Sequence, residues 1–207
     1  MEELEVIECV ELKSNESSNE FKIIAIDFKK PTYLSGATSV HVPKGTMVEV
    51  RGNEIIQGSK RIGDVIKMKD SSSIKVSTDY DIKYTGGYSL DGSTVYLDEH
   101  FPQKLEIKGK IISATASIGL HHELPEKWLS DEGYEYPYAH EVATGIEKKY
   151  VESQGVKWAD YCEVVDRNLR NVYKRDLEKS PPSLDLAPYL YCRDQEALKE
   201  IRKSKEE

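Results

Sequence analysis

Between His121 and Glu147 the chain reads HHELPEKWLSDEGYEYPYAHEVATGIE, two stretches of helical character on either side of a turn around Gly133. A short turn makes the two helices neighbours and lets one face of each meet the other. His122 and Glu126 stand four residues apart, on one face of the first helix; His140 and Glu147 stand two turns apart, on one face of the second. Two imidazoles and one or two carboxylates aimed at a single point suit Zn²⁺ or a similar divalent metal. His122, Glu126 and His140 are therefore the expected ligands, with Glu147 either a fourth ligand or a partner that orients His140. The order H-E-x-x-E departs from the zinc-hydrolase pattern H-E-x-x-H only in its last position, where a carboxylate stands in for an imidazole; Glu123 then occupies the general-base position. Three protein ligands leave a position for water, which is the mark of a catalytic site; a fourth ligand from Glu147 would make the site structural. The plain alternative is a solvated acidic face with two buried, hydrogen-bonded histidines.

The neighbouring histidines carry less. His121 points about 100° away from His122 on a helix and reads as a neighbour rather than a ligand. Asp98 and His100 close the preceding strand and read as a surface strand end, and His41 reads as an isolated strand histidine. Pro125 sits inside the first helix, where a missing donor and a ring clash cost about 3 kcal/mol, so the helix kinks there or starts later.

Around this centre the fold reads as α+β: a β-rich N-terminal part of short antiparallel strands and a hairpin, then a helical half of three main helices that carries the metal site. Residues 2–12, 21–28, 40–50, 54–56, 62–68 and 74–76 read as strands or short extended pieces, with a polar linker over 13–20 and a loop over 71–73. Residues 82–102 read as strand, turn, strand around Asp91–Gly92, with Gly86 and Gly87 marking a bulge or a close backbone approach. Residues 104–111 read as a loop or helix start, and 113–120 as a small-residue helix leading into HHELPEKWL. The second helix runs from Pro137 to a stop at Gly155 and the third from about Lys157 to Leu177. Trp158, Tyr161, Val165, Leu169, Val172 and Tyr173 recur on the third at helical spacing and read as core. Residues 184–191 read as an extended apolar segment lying back on the body, and 194–207 as a charged tail with solvated helix character. The domain reading is an N-terminal β appendage over 1–78, a metal-binding domain over 79–195 and a tail over 196–207.

Composition limits the partners. With 38% apolar and 32% charged residues among 207, the chain fits a soluble globular protein. A net charge of −8 argues against a sequence-independent nucleic-acid binder, the stretch from Lys60 to Lys69 being the nearest thing to a basic patch. No apolar run approaches a membrane span, and the acidic start MEELEVIECVEL lacks the basic opening of a signal peptide. Cys9, Cys162 and Cys192 are odd in number and far apart, which implies no disulfide framework and points to a reducing, cytoplasmic setting. There is no G-x-S-x-G elbow, no P-loop and no G-x-G-x-x-G.

Four pieces in order, GGYSLDGSTVYLDEHFP, HHELPE, YPYAHEVATGIE and PPSLDLAPYL, resemble a group of short bacteriophage and prophage proteins that look like minimal zincin-type metal-dependent hydrolases. The resemblance covers roughly half of the chain, from about Tyr84 to Tyr189. It implies His122, Glu126 and His140 at the metal, Glu123 as base, and Ser93 to Asp98 as the edge strand along which an extended substrate pairs. A phage-encoded protein of this kind would work in the host cytoplasm. Two functions follow as expectations: a zinc-dependent, peptidase-like hydrolase acting on a peptide or protein substrate, or a non-catalytic phage accessory protein with a structural metal or none.

Overall fold

The structure, a computed structural model, describes residues 2–5, 9–13, 21–27, 32–35, 47–51, 54–57, 59–67 and 74–205; His41, the polar stretch 14–20 and the loop 71–73 lie outside them. The chain divides into two units, Met1–Lys69 and Asp70–Glu207. Strands precede helices, and the class is α+β.

The first unit is one seven-stranded sheet. Its strands are β1 (Glu2–Glu5), β2 (Cys9–Lys13), β3 (Phe21–Asp27), β4 (Thr32–Ser35), β5 (Met47–Arg51), β6 (Glu54–Gln57) and β7 (Lys60–Lys67). They lie in the order β1-β5-β6-β7-β4-β3-β2, and every pair is antiparallel. The alternating runs thus become strands; β4, between Pro31 and Gly36, is too short to show a pattern of its own.

In the second unit β8 (Lys75–Tyr80), β9 (Gly86–Tyr88) and β10 (Thr94–Asp98) form a sheet in the order β8-β10-β9. β9 and β10 are the hairpin expected around Asp91–Gly92; Gly92 takes φ +68° and its N–H donates to the Ser89 carbonyl at 2.9 Å. Because β8 pairs with β10 in parallel, it belongs to this unit, and the division falls after Lys69 rather than after residue 78. The same pairing corrects the edge-strand expectation: β10 is the middle strand, flanked on both sides. The outer edge of β9 is itself partly covered, since Ser89 bridges Leu184 and the Asp185 N–H donates to the Tyr88 carbonyl at 2.9 Å.

Residues 104–113 are a hairpin, not a loop or helix start. β11 (Lys104–Ile107) and β12 (Lys110–Ser113) pair across Lys108–Gly109, both at positive φ, the twist that suits a two-residue hairpin turn. Leu105, Ile107 and Ile112 face inward and are buried. They join Leu97, Phe101, Ile118, Val151 and Tyr161 in one apolar cluster, where each full-sized aliphatic side chain contributes roughly 1.5–3 kcal/mol by leaving water.

The helical part begins with a π-helical segment, Thr115–Glu123, which passes directly into α1 (Leu124–Asp131). Their junction accounts for Pro125. The Leu124 N–H still reaches back five residues, to the Gly119 carbonyl, and Pro125 then falls in the first turn of α1, where a missing donor is tolerated. α1 is buried from Leu124 to Leu129. α2 (Tyr136–Ser153) packs on α1 and on the π-helical segment, buries Ala139 and Ala143, and gives way to Gly155 at φ +73°. α3 (Trp158–Tyr173) follows; the buried Lys83 ammonium crosses to its end and donates to the Tyr173 and Arg175 carbonyls at 3.2 and 2.5 Å.

Three expectations for the C-terminal part change. On α3 only Tyr161 and Val172 of the apolar stripe are buried; Trp158 and Val165 pack against the same core cluster but stay half-buried, and with the half-buried Leu169 they also line a cavity. Residues 184–191 are not extended throughout: Leu184 bridges to β9, and α4 (Ala187–Tyr191) follows. The tail is not solvated either, since α5 (Gln195–Ser204), capped by the Asp194 carboxylate on the Ala197 N–H, buries Ala197, Leu198 and Ile201 against Ile82, Tyr96, Leu184 and Tyr189. Among the described residues no helix is long and apolar enough to cross a membrane.

Candidate metal centre

Three expected ligands converge. His122 from the π-helical segment, Glu126 from α1 and His140 from α2 each present one ligand atom, and these atoms lie within 4.8 Å of one another. The Nε2 of His122 is 3.2 Å from the Nδ1 of His140 and 3.7 Å from Oε2 of Glu126, which in turn lies 2.7 Å from the His140 Nδ1. Ligand atoms bound at about 2.0–2.1 Å to one tetrahedral ion stand roughly 3.3 Å apart, and the three observed separations bracket that value. The donor set of two imidazole nitrogens and one carboxylate oxygen suits zinc and suits iron as well. His140 lies on the open side, its side chain 50% exposed, whereas Glu126 is 3% exposed.

Two of the three candidate ligands, His122 and Glu126, are held from behind. Glu147, the proposed fourth ligand or partner of His140, is in neither place: its Oε2 accepts from the Nδ1 of His122 at 3.0 Å. That contact places a proton on Nδ1, so the nitrogen facing Glu126, Nε2, is the one that would ligate once its own proton is lost. The Tyr161 hydroxyl of α3 donates to the other oxygen of Glu147 at 2.5 Å and lies 2.9 Å from the Ser117 Oγ of the π-helical segment. The Tyr88 hydroxyl of β9 donates to the Glu126 Oε1 at 2.9 Å, which leaves Oε2 for the centre. Sequence reading does not identify Tyr88 or Tyr161. Both partners are made across elements, and a tyrosine in an apolar stripe carries no local sign of such a contact.

Glu123 is buried in the same cavity, and a glycine makes the room for it. A Cβ on Gly86 would fall 2.8 Å from Glu123 Oε1 and 3.0 Å from the Tyr96 carbonyl oxygen, so the close backbone approach expected at Gly86–Gly87 is the space the carboxyl occupies. Burial, and after it the negative charge of Glu126, push the Glu123 carboxyl up to about 8. Glu126 behaves oppositely. Burial favours its neutral form, but hydrogen bonds from His122 and His140 outweigh that and lower it to about 2. Burial likewise opposes charge on His122, yet its hydrogen bonds to Glu126 and Glu147 hold the imidazolium well above the ordinary histidine range.

The remaining histidines separate from the centre. His121 turns away: its Nδ1 lies 2.6 Å from the Ala116 carbonyl and its ring stacks on Tyr150 at 4.0 Å. His100 and Asp98 join Asp81 in a second cluster, with His100 Nδ1 2.9 Å from Asp81 Oδ1. Its carboxylates are engaged by backbone, Asp98 by the N–H groups of Ile82 and His100 at 2.8 Å and Asp81 by those of Glu178 and Lys179 at 2.9 and 3.1 Å. The Arg175 guanidinium lies 2.8 Å from the outer nitrogen of His100.

The three candidate ligands open on a cavity of about 380 Å³, with Glu123 on one side and α3 on another. Comparison of the chain with family models, with curated proteins and with solved structures finds no match in any of the three.

Proposed function

We propose that the chain is a metal-dependent hydrolase of peptide or amide bonds, with zinc as the metal the donor set suits best and His122, Glu126 and His140 as its ligands. The observation that carries this reading is the convergence of three ligand atoms beside a cavity that also holds a buried, separate carboxyl, Glu123. A cation at such a site supplies a water acidified toward neutrality and a Lewis acid for a carbonyl oxygen. Glu123 accepts the proton of the attacking water and hands it to the leaving amine as the C–N bond breaks, so one water is consumed for each acid and amine released. Tyr88 and the Glu147–Tyr161 pair hold the ligands in place while this happens. A structural ion would call for a fourth protein ligand, and Glu147 is turned instead to the far nitrogen of His122. The resemblance to zincin-type phage proteins implies the same four roles.

The test is metal content and turnover of the wild type beside Glu123→Gln. One zinc per chain in both, with hydrolysis of a mixed peptide library by the wild type alone and its arrest by EDTA, is the expected result. Absence of bound metal from both proteins overturns the reading.

A further inference from the structure

The cavity has a wall that hydrolysis itself does not use. Trp158, Val165 and Leu169 lie on one face of α3, line the cavity together with Ile118, and remain half-buried apart from Ile118. A helix that keeps an apolar stripe against a space of about 380 Å³ forgoes burial that a ligand can restore. The charge of the lining is one-sided as well. Glu123, Glu126, Glu147, Asp166 and Asp185 line the cavity, and among the described residues no lysine or arginine does. A carboxylate brought into this space would lose its water beside other carboxylates with no lysine or arginine to receive it, and the His122 imidazole in the lining is already engaged by Glu126 and Glu147.

We infer that the cavity is the substrate's recognition subsite, taking a large apolar side chain next to the reacting bond and refusing a carboxylate there. The substrate class is then an internal amide or peptide bond flanked by an apolar residue, not a bond next to a free carboxyl terminus. Continuity with the metal centre selects this occupant, because a group seated against Leu169 shares the cavity with Glu123 and the three ligand atoms. The inference rests on the hydrolase reading for the bond concerned, but the wall itself is testable apart from the metal.

Three hydroxamates with one metal-binding head separate the two. Full-length zinc-loaded protein is titrated by calorimetry with acetohydroxamate, 4-phenylbutanoyl hydroxamate and the monohydroxamate of succinic acid, and zinc is counted in each sample. The phenyl compound binds about 30-fold tighter than acetohydroxamate, from roughly 80 Å² of covered apolar surface, and the acid binds more weakly than acetohydroxamate. Leu169→Lys reverses the order, losing the phenyl preference and gaining affinity for the acid, with zinc stoichiometry unchanged; a misfolded variant would lose both. Equal binding of the three compounds overturns the inference while leaving the metal reading intact, and so does an unchanged order in Leu169→Lys; either result is what a wall already covered by other parts of the chain would give. Should the protein take up no zinc, 4-phenylbutanamide against acetamide, followed by calorimetry, reads the wall alone, and no difference between them overturns the inference.

Discussion

Two clusters in the second unit bring histidine and carboxylate together, one histidine with two aspartates at Asp81–Asp98–His100 and two histidines with one glutamate at His122–Glu126–His140, and they differ in what is left over. In Asp81–Asp98–His100 both oxygens of Asp98 and Oδ2 of Asp81 already accept backbone N–H groups, Oδ1 of Asp81 pairs with His100, and Arg175 covers the outer nitrogen of the histidine. In His122–Glu126–His140 the supporting contacts are made to the far atoms: Glu147 takes Nδ1 of His122, and Tyr88 takes Oε1 of Glu126. The near atoms, His122 Nε2, Glu126 Oε2 and His140 Nδ1, are left facing one another beside the cavity. Proximity of acid and imidazole is common to both. What distinguishes the candidate ion site is that outside partners take its far atoms while its near atoms contact one another.

The contrast breaks most visibly at the histidines. His140→Ala removes one of the three candidate ligands and, on the proposed zinc site, is expected to cut zinc affinity by more than the roughly 100-fold typical of losing an outer hydrogen-bond partner, whereas His100→Ala leaves it unchanged; competition with a chromophoric chelator reads both. Equal losses in the two variants would erase the distinction. Tyr161→Phe, which frees one oxygen of Glu147 without touching a ligand, is expected to weaken zinc by about 10-fold and to cost about 1 kcal/mol in urea unfolding. An unchanged zinc affinity would mean that Glu147 needs no anchor to orient His122.

At the second cluster the readout is stability rather than metal. Asp98→Ala leaves the Ile82 and His100 N–H groups without their acceptor and is expected to destabilise the protein by about 1–3 kcal/mol with zinc content unchanged. The smallest effect is in pH. Burial raises the Asp98 carboxyl above its ordinary value of 3.8 despite those two N–H groups, so the folded state binds its proton more tightly than the unfolded state. Its contribution to stability therefore falls as pH rises from the ordinary carboxylate range through the raised value. Asp98→Asn removes the group, and unfolding at pH 4 and pH 7 should find the variant gaining on the wild type toward pH 7; a difference independent of pH would show that the carboxyl is not raised.

What was legible in the chain was local. The i, i+4 spacing of His122 and Glu126 put those two on one face, because helix geometry fixes which residues share a face, and the turn at Gly133 made the His140 helix a neighbour along the chain. Gly86 announced a close approach, though not the carboxyl that makes it. Periodicity placed Trp158, Tyr161, Val165 and Val172 of α3 at the core but did not show that the stripe also borders a cavity, because an apolar stripe reads the same in both settings. It was also silent on 104–113, where a Lys–Gly turn at positive φ hides behind basic residues.

The sequence by itself determined which donor groups exist and which of them sit on common helix faces, since those are properties of neighbours along the backbone. Only the tertiary structure decided that Glu147 backs His122 rather than His140, that β10 is a middle strand, and that Trp158 and Leu169 face a cavity. The physical reason is that hydrogen bonds and burial between elements depend on how helices and strands are packed, and nothing in the spacing of residues along one element specifies what stands across from it.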